Sequence, residues 1–198
     1  MQVILASQSP RRKKLLEQIG LKFQVSPSDV SEETDQNDPI LLVEELAQKK
    51  AVDVSESYNN SLVIGSDTIV VHNNKILGKP ENEQHAVEMI KNLSGTTHVV
   101  YTGVEFVKTN ENGRITNQLS FHEQTKVTFS ALDESDILAY VKGGSPMDKA
   151  GAYGIQDDMG ALFVEKIEGD YYNVVGFPLN RFYRELKRFS PNIKLYDQ

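Results

Sequence analysis

Hydrophobic and polar positions along this chain switch repeatedly between a two-residue and a 3.6-residue period, which marks an alternation of strands and helices. The apolar run at residues 2–6 reads as a buried strand. It ends in small polar residues, and a helix is expected over 10–19, with Ser9 as N-cap, Pro10 at the first helical position and Gly20 as the stop. Residues 22–26 read as a short second strand, followed by an acidic, polar loop over 28–38. Asp38-Pro39 then opens a second helix that runs to about residue 54. Residues 62–71 are strongly β, and His72-Asn73-Asn74-Lys75 is a turn signal. An amphipathic helix follows over 82–93.

Strands at 99–107 and 115–129 are expected to form a long hairpin around Asn110-Glu111-Asn112-Gly113. Asp133 starts a helix that stops at Gly143-Gly144. A second hairpin is expected from 161–167 and 171–175 around Glu168-Gly169-Asp170, with Tyr171-Tyr172 alternating between core and surface. A last helix spans 178–189. Helices interleave with strands, yet hairpins are frequent, so the sheet is expected to be mixed rather than purely parallel. At 198 residues the chain suits one domain, or two small lobes that share a sheet.

Three positions break the pattern. The first turn of the helix at 10–19 carries four consecutive cations, Arg11, Arg12, Lys13 and Lys14, where the helix dipole favours acids. Arg12 lies one turn before Leu15 and Leu16, so it faces the body of the protein, whereas Lys13 faces outward. A solvated basic cap is the plain explanation. The inward arginine favours an anion site built with free backbone N–H groups. Lys50 falls inside the stripe made by Val43, Leu46, Ala47 and Val54. It either snorkels to the surface or aims its ammonium into a cleft, and the pattern alone leaves both open. Asp67 interrupts the apolar run at 62–71 and shares a face with Val63, Ile69 and Val71. Such a carboxylate needs a cation, a metal or a hydrogen-bond donor. An ion pair with a core lysine satisfies that need, and so does a role as a base or metal ligand beside phosphate.

Other segments carry less. Gly78-Lys79-Pro80 brings a further lysine close in sequence to Asp67. The glycines of Lys149-Ala150-Gly151-Ala152-Tyr153-Gly154-Ile155-Gln156 would let backbone approach a ligand, and the Gln156 amide can both donate to and accept from a base edge. The four histidines lack metal-ligand spacing. Arg181, Arg184, Lys187 and Arg188 read as a solvated helix face. Phosphate-loop, dinucleotide and nucleophile-elbow signatures are absent.

Composition narrows the classes. A net charge of −7 argues against a general nucleic-acid surface while leaving room for a local basic pocket. With no cysteine, disulfides, thiol catalysis and cysteine–zinc sites are excluded. The apolar run at 2–6 is too short for a signal or membrane segment, so a soluble, cytoplasmic protein is expected.

Taken in order, Ala6-Ser7-Gln8-Ser9-Pro10-Arg11-Arg12, Gly65-Ser66-Asp67-Thr68, Gly78-Lys79-Pro80 and Lys149 to Gln156 resemble the Maf (septum formation inhibitor) nucleotide pyrophosphatases over essentially the whole chain. The resemblance implies a single domain over 1–198. It also implies an elongated two-lobed α/β molecule, with a twisted mixed β-sheet flanked by helices and a central cleft, similar to the inosine triphosphatase-like enzymes. The implied activity is cleavage of nucleoside triphosphates to monophosphate and pyrophosphate with a divalent cation: Mg²⁺, or Mn²⁺ or Co²⁺ in its place. A homodimer acting on a small nucleotide, away from nucleic acid and membrane, is implied as well.

By motif, Asp67 matches the proton acceptor. Ser7, Arg12, Glu32, Lys50 and Lys79 match phosphate- and metal-handling positions, with Glu32 and Asp67 toward the metal. Arg11, Thr68 and Gln156 match the positions that set substrate choice, and their identities resemble the dTTP/UTP branch. Three departures stand out: Ser31-Glu32 where many relatives carry two acids, Gln156-Asp157-Asp158 in place of Gln-Gly, and Gly176-Phe177-Pro178-Leu179 in place of Gly-Leu-Pro-Leu. The alternative to an enzyme is a nucleotide-binding regulator of septum formation or cell division without significant catalysis.

Overall fold

The structure is a computed structural model and describes residues 1–156 and 159–196. Among the described residues the frame is a mixed seven-stranded sheet. Strand β1 (Gln2–Ala6) pairs in parallel with β2 (Gln24–Val25) on one side and with β3 (Ser61–His72) on the other, in the register Ala6 opposite Gly65. The order continues through β5 (Thr97–Thr109), β6 (Ile115–Phe129) and β7 (Val164–Glu168), while β4 (Lys75–Leu77) pairs antiparallel with the end of β3. Strands β6 and β7 are also antiparallel. The mixed sheet follows from the hairpin-rich pattern. Asn73 and Asn74 both take positive φ, 49° and 60°, as a two-residue hairpin turn demands.

The chain divides into two compact units. The first comprises residues 1–67, 102–123 and 176–198, and the second 68–101 and 124–175. In the first, helix α1 (Pro10–Gln18) ends where the N–H groups of Gly20 and Leu21 return to the carbonyls of Glu17 and Leu16. Helix α2 (Pro39–Ser55) is capped by the Asp38 carboxylate, which accepts from the N–H groups of Ile40 and Leu41 at 2.9 and 3.0 Å. Its apolar stripe enters a core that joins Ala51 and Val54 to Ile4, Ala6, Val63 and Val107. Phe106 meets Phe121 and Phe182 edge-to-face in the same unit.

The second unit packs helix α3 (Glu83–Leu93) and helix α4 (Glu134–Lys142) with Val100, Phe129, Tyr153 and Phe163 in one core. Here one expectation fails. Residues 161–175 do not form a hairpin: helix α5 (Gly160–Phe163) leads into β7, and helix α6 (Tyr171–Val175) follows where the second strand was expected. The turn signal at Asp170 is used as a helix start, because its carboxylate accepts the N–H of Tyr172 at 2.8 Å. Asn173 is fully buried and donates to the carbonyl of Val100 and to Thr125 Oγ1 at 3.1 and 3.0 Å. Those bonds reward a helical turn at 171–175 that the strand reading missed, and Tyr171-Tyr172 therefore lie on a helix. The last helix, α7 (Leu179–Phe189), is as expected, with Arg181 and Arg188 flanking a nearly buried Glu185.

His98 sits inside the second core, 1% exposed, with its Nε2 2.7 Å from the Tyr153 hydroxyl. Burial, reinforced by His72, lowers its pKa from 6.5 to about 3, so the folded protein keeps the ring neutral. Unfolded chain takes up a proton below pH 6.5 and folded chain does not. The stability that depends on the neutral ring is complete above pH 6.5 and is lost progressively as pH falls toward 3. The urea-unfolding free energy of the wild type is expected to fall more steeply across this window than that of H98Q, by up to about 1.4 kcal/mol per pH unit. Parallel pH profiles would contradict a buried, neutral His98.

Candidate active site

The site builds on the β1–α1 connection, helix α2 and strand β3. Between β1 and α1, Ser9 caps the helix and its Oγ accepts the N–H of Arg12 at 3.4 Å. Of the four cations that follow, Lys13 and Lys14 are exposed and Arg12 is buried, which matches the facing read from the helical spacing. The Arg12 guanidinium binds backbone. Its Nε donates to the carbonyl of Gly176 at 3.0 Å, and Nη1 donates to the carbonyl of Ser66 at 2.8 Å and to Ser7 Oγ at 3.2 Å. Arg12 therefore ties the β1–α1 connection and the start of the 176–198 segment to β3, at the residue preceding Asp67. Burial lowers the guanidinium pKa, an effect opposed by the charges of Asp67 and Glu32 and reinforced by Arg11.

On α2, Lys50 occupies the apolar stripe, and its ammonium stays inside. Lys50 Nζ lies 2.6 Å from Asp67 Oδ1 and 2.7 Å from Glu32 Oε1. The Lys50 and Asp67 side chains are 13% and 12% exposed, whereas Glu32 is 64% exposed. Of the alternatives offered for Asp67, the ion pair with a core lysine is the one present. The loop that carries Glu32 is stapled to the outer face of α2: Ser28 Oγ donates to Asp53 at 2.6 Å, Thr34 Oγ1 to Glu45 at 3.0 Å, and Lys49 Nζ to the carbonyl of Glu33 at 3.1 Å.

Ser7, Arg11, Arg12, Glu32, Lys50 and Asp67 belong to the first unit, and Thr68, Lys79 and Gln156 to the second. Thr68 directly follows Asp67 and is half-buried; Lys79 and Gln156 are exposed. The loop with Lys79 is held by the Gly151 N–H, which donates to the carbonyl of Gly78 at 3.0 Å. Asp157 and Asp158, the added carboxylates, lie outside the described residues. The sequence reading had not singled out the carbonyls of Ser66 and Gly176, since a backbone acceptor leaves no mark in residue identity. Nor had it given Lys149 a role. That side chain is 9% exposed and bonded to the Ser145 carbonyl and to Asp148.

Among the described residues no three His, Asp or Glu side chains form a metal cluster. Glu32 and Asp67 each place one oxygen on the Lys50 ammonium, which fills their common point, so an ion would meet their remaining carboxylate oxygens. Two hard oxygen donors of that kind suit Mg²⁺, which takes one or two carboxylates and completes its shell with water and phosphate oxygens. The donor set fits such an ion.

The family model described as Maf-like protein matches residues 2–189. The chain belongs to the Maf family. A Lachnoclostridium phytofermentans protein named dTTP/UTP pyrophosphatase is 49% identical over 190 residues, covering 96% of this chain and 95% of that one. A Geobacillus protein of the same name is 50% identical, covering 96% of this chain and 98% of that one. A solved structure, the Ham1 protein of Staphylococcus aureus, shares 12% identity with a TM-score of 0.42, over 65% of this chain and 72% of that one. No helix of this Maf protein, among the described residues, is long and apolar enough to cross a membrane.

The backbone contacts of Arg12 generate a prediction for the nucleotide-free protein. Lysine lacks the guanidinium fork and would leave buried carbonyls without a donor. R12K is expected to lose about 1–3 kcal/mol of stability in urea unfolding without nucleotide. Unchanged stability would mean that Arg12 serves a ligand alone.

Proposed function

We propose that this Maf protein hydrolyses pyrimidine nucleoside triphosphates, dTTP and UTP, to the monophosphate and pyrophosphate. The observation that carries the reading is the Lys50 ammonium held between Asp67 and Glu32, beside the buried Arg12. It is supported by relatives named dTTP/UTP pyrophosphatase at 49% and 50% identity along nearly the full length. A division regulator without catalysis is not favoured by those relatives.

Phosphoryl-group chemistry of this kind is mainly positioning and charge stabilisation. Asp67 would orient a water for in-line attack on the α-phosphorus and accept its proton at a carboxylate oxygen. Lys50 has three donors, of which two meet Asp67 and Glu32, so a third is free for a phosphate oxygen. Arg12 would add fixed positive charge, and Lys79 would neutralise the leaving pyrophosphate. Ser7 would hydrogen-bond a phosphate oxygen. Arg11, Thr68 and Gln156 would select the base, Gln156 through its two-way amide. Glu32 and Asp67 are the residues that would hold a divalent cation, which when bound neutralises phosphate oxygens and draws charge from the breaking bond.

With Mg²⁺ supplied, dTTP and UTP are expected to yield monophosphate and pyrophosphate, separated from orthophosphate by HPLC, and to turn over faster than GTP. Asp67→Asn is expected to lower turnover by about a hundredfold or more while nucleotide binding persists. Near-wild-type turnover in that variant, or orthophosphate as the first product, would refute the assignment.

A further inference from the structure

Two glycines inside strands have no conformational reason to be there. Neither Gly65 on β3 nor Gly103 on β5 has a positive φ, and glycine within a strand weakens it. Their neighbours give the reason. A methyl at Gly65 would stand 2.2 Å from the carbonyl oxygen of Ala47, and one at Gly103 would stand 2.2 Å from the carbonyl oxygen of Val43. Both oxygens belong to α2, one turn apart, and β3 and β5 are neighbours in the sheet. The clashing atoms are helix backbone, so no side-chain rotation relieves them. Only displacement of the helix does.

Lys50 rides on this seat. It lies between Ala47 and Ala51, and Ala51 is itself a close neighbour of Gly65: its Cβ would be 2.8 Å from an added methyl. We infer that Gly65 and Gly103 are positioning residues, which fix α2 against the sheet at the height that brings the Lys50 ammonium to Asp67. A methyl at either position lifts the helix on the order of 1 Å, a displacement that costs about a hundredfold in rate when it falls on reacting groups. For catalysis, the inference rests on the assignment of Lys50 and Asp67 to phosphate chemistry. For the charge centre itself, it rests on the packing alone.

Gly103 gives the cleaner test, because its added methyl would meet the first half of α2, away from Lys50. In G103A shown to be folded by near-UV circular dichroism, kcat for dTTP is expected to drop about a hundredfold. K50M in that background is expected to cost no more than about twofold further, since the lysine has already left its place. Losses that multiply, or a kcat in G103A within about twofold of wild type, overturn the inference.

A readout independent of turnover is the ¹⁵Nζ ammonium resonance of Lys50 in nucleotide-free protein. It is expected to be protected in the wild type and lost to solvent exchange in G103A, and an unchanged resonance overturns the inference. If the wild type releases no pyrophosphate, the pyrophosphatase assignment fails while this resonance still decides the positioning role. Should G103A not fold, A51V lifts the same helix from its own side at Gly65, and the same outcomes apply.

Discussion

A lysine ammonium removed from most solvent must be paired, and the pairing of Lys50 organises the first unit. Its partner Asp67 is just as buried, so the two charges depend on each other; leaving such a charge without its partner costs about 3–5 kcal/mol. To bring them within 2.6 Å, helix α2 has to lie close on β3, the strand has to carry a carboxylate in an apolar run, and the helix has to spend a core position on lysine. Glu32 differs. Its side chain is largely exposed, and a solvated pair of this sort contributes about 0–1 kcal/mol. Of the two carboxylates, Asp67 is the fixed arm and Glu32 the exchangeable one.

Arg12 supplies the second constraint. Placing a cation in the first turn of α1 opposes the helix dipole, and burying it adds a desolvation cost. Both are offset by the carbonyls of Ser66 and Gly176 and by the negative field of Asp67 and Glu32. The two positive charges reach the Ser66-Asp67 step from different elements, one through the backbone and one through the side chain. A residue that breaks a local preference and is then held by several elements is the usual mark of a functional site.

How much of this was legible in the sequence differs from residue to residue. Lys50 and Asp67 each stood out against an apolar pattern, because an ionised group in a hydrophobic stripe needs an explanation. Periodicity is local, however, and 17 positions of separation could not show that the two side chains meet. The inward turn of Arg12 followed from its spacing to Leu15 and Leu16, yet its carbonyl partners could not be named, since every residue has a carbonyl. The strands and helices from 2 to 142 followed from period and caps, apart from β4, whose three residues are too few to show a period. The strand expected at 161–167 is present in part as β7, but the one at 171–175 is not, because Gly-Asp turn chemistry serves a hairpin and a helix start equally, and the deciding bonds of Asn173 come from Val100 and Thr125 far away in sequence. Gly65 and Gly103 carried a faint signal, glycine where a strand prefers a side chain, which only the pressing backbone of α2 explained.

The most direct test of a phosphate-handling centre at Lys50, Asp67 and Glu32 is a crystal structure with Mg²⁺ and a dTTP analogue made uncleavable between the α- and β-phosphates. The account predicts that the polyphosphate lies against the Lys50 ammonium, with Asp67 facing the α-phosphorus across a water at about 3–3.5 Å. A nucleotide bound elsewhere, with the contacts of Lys50 to Asp67 and Glu32 undisturbed, would contradict it.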